Sequence, residues 1–193
     1  MTTADLGPQT AVVTRLAGAV TEEQLTAATP CPGCSVRDLL GHLLGLSVAF
    51  RDAARKELGP TTDTRPDSAS WDLDPGWRER LPAALDELAA AWRDPAAWTG
   101  DTRAGGVDLP GAVAGAVVAD ELVIHGWDLA RATGQDYTPD PAALTAAHGF
   151  LLAAAEDPDR GDGPFGPVVA VPAGAPLLDR AVGLSGRDPG WRP

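Results

Sequence analysis

The sequence predicts an all-α helical bundle, and three observations carry that prediction. Apolar residues recur at intervals of three and four along four long stretches. Proline- and glycine-rich breaks separate those stretches, and no segment makes a convincing strand, since Val168-Val169-Ala170-Val171 could extend but has no evident partner. With 193 residues the chain is long enough for one good core. We read a single domain over 1–193, with the bundle at about 5–156 and an irregular tail with one short helix at 157–193.

The first helix is expected from about Gln9 to Val20, with Val12, Val13, Leu16 and Val20 at core spacing, and Thr21 to Leu25 make a short turn. Thr29-Pro30-Cys31-Pro32-Gly33-Cys34 holds too much proline and glycine to be helical. Ser35, with Asp38 three residues later, forms a capping box that starts the second helix, which should end at Gly59-Pro60. Leu39, Leu43, Leu46 and Phe50 make its apolar stripe, with His42 on the edge of that stripe. Thr61 to Ser70 reads as a polar loop. A third helix fits Pro75 or Trp77 to Trp92, turning Leu81, Leu85, Leu88 and Trp92 inward, with Pro82 shifting its start. Asp94 to Leu109 is expected to cross over irregularly. The fourth helix runs from Pro110, an allowed first-turn proline, to Thr133, where Gly134 supplies a left-handed stop. A fifth spans Pro141 to Glu156, and after a loop at Asp157–Pro176 a short helix from Leu177 to Leu184 closes the chain.

Composition removes several classes of function. The net charge of -12 opposes binding to phosphate backbones, and the arginines form no basic stripe, so nucleic acid is not an expected partner. No run approaches the ~20 apolar residues of a membrane span. The start MTTADLGPQT lacks a basic end and an apolar signal core, which reads as cytoplasmic with no membrane partner. Among 15 basic residues Lys56 is the one lysine, a bias that suggests a high-GC genome.

Chemistry concentrates in Asp120-Glu121-Leu122-Val123-Ile124-His125-Gly126-Trp127-Asp128. Glu121 and His125 are four apart, one helical turn, so both can reach one ion, and Asp128 joins the same face. The preceding residues, from Gly111 to Val118, are apolar or small, so charges here need partners. A catalytic metal site commonly has three protein ligands and an open position. His42 is the candidate third, because bundles build metal sites from facing helices. Two imidazoles and a carboxylate suit zinc, and also nickel, iron or cobalt. The plainer reading of Glu121 and His125 is a buried hydrogen-bonded pair that fixes packing. Asp128 reads either as the group that orients an imidazole or serves as acid/base, or as a cap or salt bridge to Arg131.

Two segments carry a family resemblance. Thr29-Pro-Cys-Pro-Gly-Cys-Ser-Val-Arg-Asp-Leu-Leu-Gly-His42 and Asp120-Glu-Leu-Val-Ile-His-Gly-Trp-Asp-Leu-Ala-Arg-Ala-Thr-Gly134 resemble the actinobacterial metal-binding proteins of the DinB-like superfamily, related to the N-terminal domain of mycothiol-dependent maleylpyruvate isomerase. Phe165-Gly166-Pro167 through Pro189 is similar to the tail of that group. The resemblance implies a DinB-like up-down-up-down four-helix bundle and a metal held by His42, Glu121 and His125. It also implies mycothiol, a low-molecular-weight thiol, as cosubstrate for a thiol transferase or isomerase acting on a small electrophilic molecule. A non-catalytic metal-binding or stress module, and a hydrolase using metal-bound water, fit the same ligands. The isomerases carry a further C-terminal domain where this sequence shows a short tail after Glu156, which weighs against isomerisation. Arg51, Arg55, Arg180 and Arg187 are all candidates to bind a substrate carboxylate. The oligomeric state is open, a homodimer included.

Cys31 and Cys34 have redox spacing before a helix N-terminus, but without a βαβ pattern. The expectation is a turn with Cys31 packed beneath it and no structural disulfide. Relatives typically have tryptophan at position 34. His148 reads as a packing or surface residue and the six tryptophans as mostly core, with Trp127 a candidate pocket wall.

Overall fold

The computed structural model of the chain describes residues 4–65, 72–156, 160 and 165–193. Its helices are α1 (Gly7–Gly18), α2 (Val36–Arg55), the single turn α3 (Pro60–Asp63), α4 (Trp77–Trp92), α5 (Gly111–Thr133), α6 (Pro141–Ala155) and α7 (Leu177–Leu184). Short 3₁₀ turns occupy Glu23–Thr26 and Pro95–Trp98. An antiparallel hairpin pairs β1 (Asp101–Ala104) with β2 (Val107–Pro110).

The expected helical bundle is present, and its layout decides where a site can form. Helix α4 lies against both α1 and α2, and α5 lies against the same two, so α1 and α2 occupy opposite corners of a four-helix bundle. Leu16 of α1, Leu39 and Leu43 of α2, Leu81, Leu85 and Leu88 of α4 and Leu122 of α5 are fully buried in one shared cluster. Each such side chain contributes roughly 1.5–3 kcal/mol by leaving water. A second cluster joins Val123, Ile124 and Trp127 of α5 to Ala143, Ala147 and Leu151 of α6 and Ala181 and Val182 of α7. Helix α5 therefore serves two cores, which is why it is apolar around most of its circumference.

The Ser35 capping box forms as the spacing predicts. Ser35 Oγ accepts from the Asp38 N–H at 3.3 Å, and Asp38 Oδ2 accepts from the Ser35 N–H at 2.9 Å. The helix ends earlier than the Gly59-Pro60 boundary. Lys56 takes the left-handed conformation, φ 59°, and its N–H returns to the carbonyls of Ala53 and Asp52. A non-glycine residue there costs roughly 1–2 kcal/mol. The Lys56 ammonium offsets this by donating to the Ala97 carbonyl at 3.2 Å.

The other corrections are local. α1 begins two residues before Gln9 and ends at Gly18. Three residues of the Thr61–Ser70 loop belong to α3, and residues 66–71, Trp71 included, lie outside the described chain. The stretch read as an irregular crossing contains the hairpin. Gly105 and Gly106, φ 60° and 75°, form the two-residue turn whose twist matches paired strands. Four-residue strands that are half polar give no alternation to detect, so only that Gly-Gly pair signals them. Pro110 is the N-cap of α5, so the helix begins at Gly111, one residue later than expected, while Gly134, φ 68°, stops the helix as expected. Val168–Val171 forms no strand, and the Val169 N–H donates to the Gly183 carbonyl at 3.0 Å, holding the tail to α7.

Candidate metal centre

His42 stands on the border of the apolar stripe of α2, and α5 is the adjacent corner of the bundle, so the two helices bring His42 opposite Glu121 and His125. His42 Nε2 and His125 Nε2 each lie 3.0 Å from the same oxygen, Glu121 Oε2. The rings meet edge to face with centroids 4.7 Å apart. One donor atom from each of the three residues falls within 4.8 Å of the others. Around zinc with Zn–N of about 2.0–2.1 Å, neighbouring ligand atoms of a tetrahedron are roughly 3.3 Å apart. These three donors could hold one cation, which would leave a fourth position to something other than this triad.

Behind His125, Asp128 meets partners from its own helix and from the tail. Asp128 is fully buried, and its Oδ2 lies 3.0 Å from His125 Nδ1 and 3.2 Å from Arg187 Nη2. Arg131, the alternative partner, instead donates to the Pro189 carbonyl and stacks over Trp127. A ligating imidazole whose other nitrogen meets a carboxylate is the arrangement that fixes tautomer and ring orientation at metal sites. Asp128 Oδ1 and Arg187 Nε are buried without hydrogen-bond partners.

Electrostatics bind the cluster tightly. Burial works to raise the Glu121 carboxyl, but hydrogen bonds from His125 and His42 overcome it and hold its pKa well below the usual value. Burial likewise works against a charged His125, yet Asp128 and Glu121 together hold its pKa up to about 10. The neighbouring Asp120 is pushed the other way, well above an ordinary carboxylate, by its burial and by Glu121. Its buried Oδ1 has no hydrogen-bond partner.

The remaining candidates separate cleanly. Of the four arginines considered for a substrate carboxylate, Arg187 is the one whose contacts reach this cluster. Arg51 is held by Asp52 and Glu87, Arg180 by His148 and the Ala173 carbonyl, and Arg55 is exposed. His148 pairs between α6 and α7, a packing role as expected. Trp77, Trp92 and Trp127 are buried, and Trp127 lies in the second core rather than along an evident pocket. Cys31 and Cys34 form the expected turn, but Cys34 is the buried member and Cys31 is half-exposed. Arg187 was one name among four in the sequence. Its 59-residue separation from Asp128 and the irregular tail around it leave no periodic signal that could have singled it out.

Two uncharacterised proteins of Mycobacterium tuberculosis, from strains CDC 1551 and H37Rv, are each 27% identical to this chain over 171 residues, covering 87% of this chain and 87% of theirs. A solved structure of a histidine-to-alanine mutant of mycothiol-dependent maleylpyruvate isomerase shares the fold, with a TM-score of 0.57 at 18% identity. The match covers 74% of this chain and 65% of that one, so this chain spans less than two thirds of its length. The bundle is accordingly of the DinB-like type that the two motifs imply. Residues 6–130, which include His42, Glu121, His125 and Asp128, match the model of the mycothiol maleylpyruvate isomerase N-terminal domain, and the chain belongs to that family.

Proposed function

We propose that this protein binds a divalent cation through His42, Glu121 and His125, zinc first, with nickel or iron suited to the same donors, and uses it to present a low-molecular-weight thiol, mycothiol, to a small electrophilic substrate in the cytoplasm. The reaction is thiol transfer or thiol-dependent isomerisation. One observation carries this reading: two imidazole nitrogens from different helices converge on a single carboxylate oxygen. Packing alone would not require that convergence.

When bound, the cation would supply the Lewis acidity that keeps a thiol sulfur deprotonated near neutral pH. The chain's own residues prepare for it. Asp128 accepts the Nδ1 proton of His125, so that Nε2 is the nitrogen offered to the cluster. Arg187 offsets the Asp128 charge from the tail. Side-chain exposure falls from 25% at Glu121 and 16% at His42 to 10% at His125 and zero at Asp128. A thiol and substrate therefore approach from the Glu121 and His42 side, while His125 and Asp128 form the closed wall.

The test is metal content of protein purified without added ions, beside His125→Ala. About one equivalent in the first and near none in the second is expected, and no metal in either would refute the proposal. Calorimetric titration with mycothiol should show saturable binding that disappears in His125→Ala. Offered maleylpyruvate, an isomerase regenerates the thiol, a transferase consumes it one for one, and turnover without thiol would point to hydrolysis instead.

A further inference from the structure

Nothing proposed above uses Cys31 and Cys34, yet their placement is that of a working pair. Pro32 and Gly33, with Gly33 at φ 72°, make a tight turn whose Cys34 N–H donates to the Cys31 carbonyl at 3.1 Å. A turn closed in this way keeps its outer Cα atoms within about 7 Å, which overlaps the roughly 4.4–6.8 Å separation that a disulfide needs. The two members are unequal. Cys31 is half-exposed, and Cys34 is buried against the start of α2, with its thiol donating to the Ser35 carbonyl at 3.5 Å.

Their surroundings sharpen that inequality. The neighbouring Cys34 thiol acts first, against the effect of burial, and Arg187 and His125 add positive charge while Asp128 opposes them; the Cys31 thiol is drawn down to about 6. Its nearness to Cys31, burial and the nearby Asp38 and Asp128 push the Cys34 thiol far up. An accessible sulfur that ionises easily, beside a sheltered one that keeps its proton, is the division of labour of an attacking and a resolving cysteine.

We propose that Cys31 and Cys34 are a thiol–disulfide exchange site, in which Cys31 attacks a low-molecular-weight disulfide and Cys34 resolves the adduct. In the first step the Cys31 thiolate bonds to one sulfur of the small disulfide, whose S–S bond breaks and releases one thiolate that takes a proton from water. In the second, Cys34 gives its proton to water and attacks the Cys31 sulfur. The Cys31–Cys34 bond forms as the mixed disulfide breaks, and a second thiolate leaves and is protonated. Two electrons pass from the protein dithiol to the small disulfide, which becomes two thiols. Arg187 bears on both centres, since its charge acts on Cys31 and it holds Asp128.

The experiment treats the reduced full-length protein with hydroxyethyl disulfide at neutral pH and follows intact mass and released thiol. Wild type should end about 2 Da lighter, with two thiols released per chain, whereas Cys34→Ala should stop at a stable mixed disulfide with one thiol released. Cys31→Ala should react at least about tenfold more slowly, as a buried thiol of raised pKa must. A wild-type protein that stays at its reduced mass, or that halts at the mixed disulfide, overturns the proposal. So does a Cys31→Ala variant that reacts at the wild-type rate. None of these readouts involves the cation, so their failure would leave the proposed metal function standing.

Discussion

Helices α2 and α5 supply the same centre and are built on opposite plans. Helix α2 is amphipathic, with one buried stripe and, Asp52 apart, its charges near the surface, where Arg51 pairs with a Glu87 carboxylate that is 51% exposed. Helix α5 is enclosed by two cores, and two of its carboxylates have no route to water. Asp128 has zero exposure and Asp120 is 2% exposed. Most charges on α2 can be left to solvent, whereas the fully buried Asp128 on α5 is answered by His125 and Arg187. Partners found inside a fold in this way mark where its chemistry is held.

Removing one partner on each helix should expose that difference most strongly. Arg187→Leu strips the tail cation from Asp128, and breaking a buried ion pair costs about 3–5 kcal/mol. The lower end is expected, because His125 still answers the carboxylate. Arg51→Leu removes a partly exposed cation from Glu87 and from Asp52, and Asp52 keeps the Thr61 hydroxyl as a donor, so the loss should stay near the ~1 kcal/mol upper end of a surface pair. Urea midpoints of the two variants check this, and equal losses would break the contrast between the helices.

Asp128→Asn asks whether the enclosed helix also tunes the centre. The amide keeps the volume but no longer accepts the Nδ1 proton as a carboxylate, and loss of such a partner typically weakens metal binding about 10–100-fold. Competition with a chromogenic chelator measures it. An unchanged zinc affinity would reduce Asp128 to a packing residue.

How much of this was legible in the sequence follows the same division. The α2 stripe and its Ser35 cap are local patterns, set by spacings of three and four residues, and both were read directly. The Glu121 and His125 pair was also visible, because one helical turn is a local relation. His42 could be named as the candidate third ligand from its place on the edge of the α2 stripe, and the family resemblance supported it, but helix period does not say which corners of a bundle are adjacent. Arg187 could not be singled out among four arginines, and the Gly105-Gly106 hairpin escaped, for different reasons. Arg187 is fixed by a tail path that has no periodicity, and the strands are too short and too polar to alternate.

Glycines offer a smaller and more local version of the comparison. A Cβ on Gly115 of α5 would run into the Trp98 ring, and one on Gly45 of α2 meets nothing within 4 Å. Gly115→Ala should cost about 1–3 kcal/mol by overpacking. Gly45→Ala should stabilise by roughly 0.5–1 kcal/mol, since alanine loses less freedom in a helix interior. Thermal midpoints moving in the same direction would show that α5 has slack that its two cores are not expected to leave.

The smallest expected effect lies at the open end of α2 and depends on pH. Hydrogen bonds from the Ser35 side chain and backbone hold the Asp38 carboxyl below its usual pKa, against a slight effect of burial. A carboxylate depressed in the folded state stabilises above its unfolded value of about 3.9, and that contribution is lost as pH falls through the lower folded value. Asp38→Asn should therefore lower stability at pH 7 by about 1 kcal/mol or less, the scale of a helix cap. The deficit should shrink as acid protonates Asp38 in the wild type, so the urea midpoints of the two proteins converge below about pH 4. If they stay parallel down to the acid transition, the cap rests on the Ser35 hydroxyl alone. The N-terminal end of α2 would then be held without the charge that the capping box supplies.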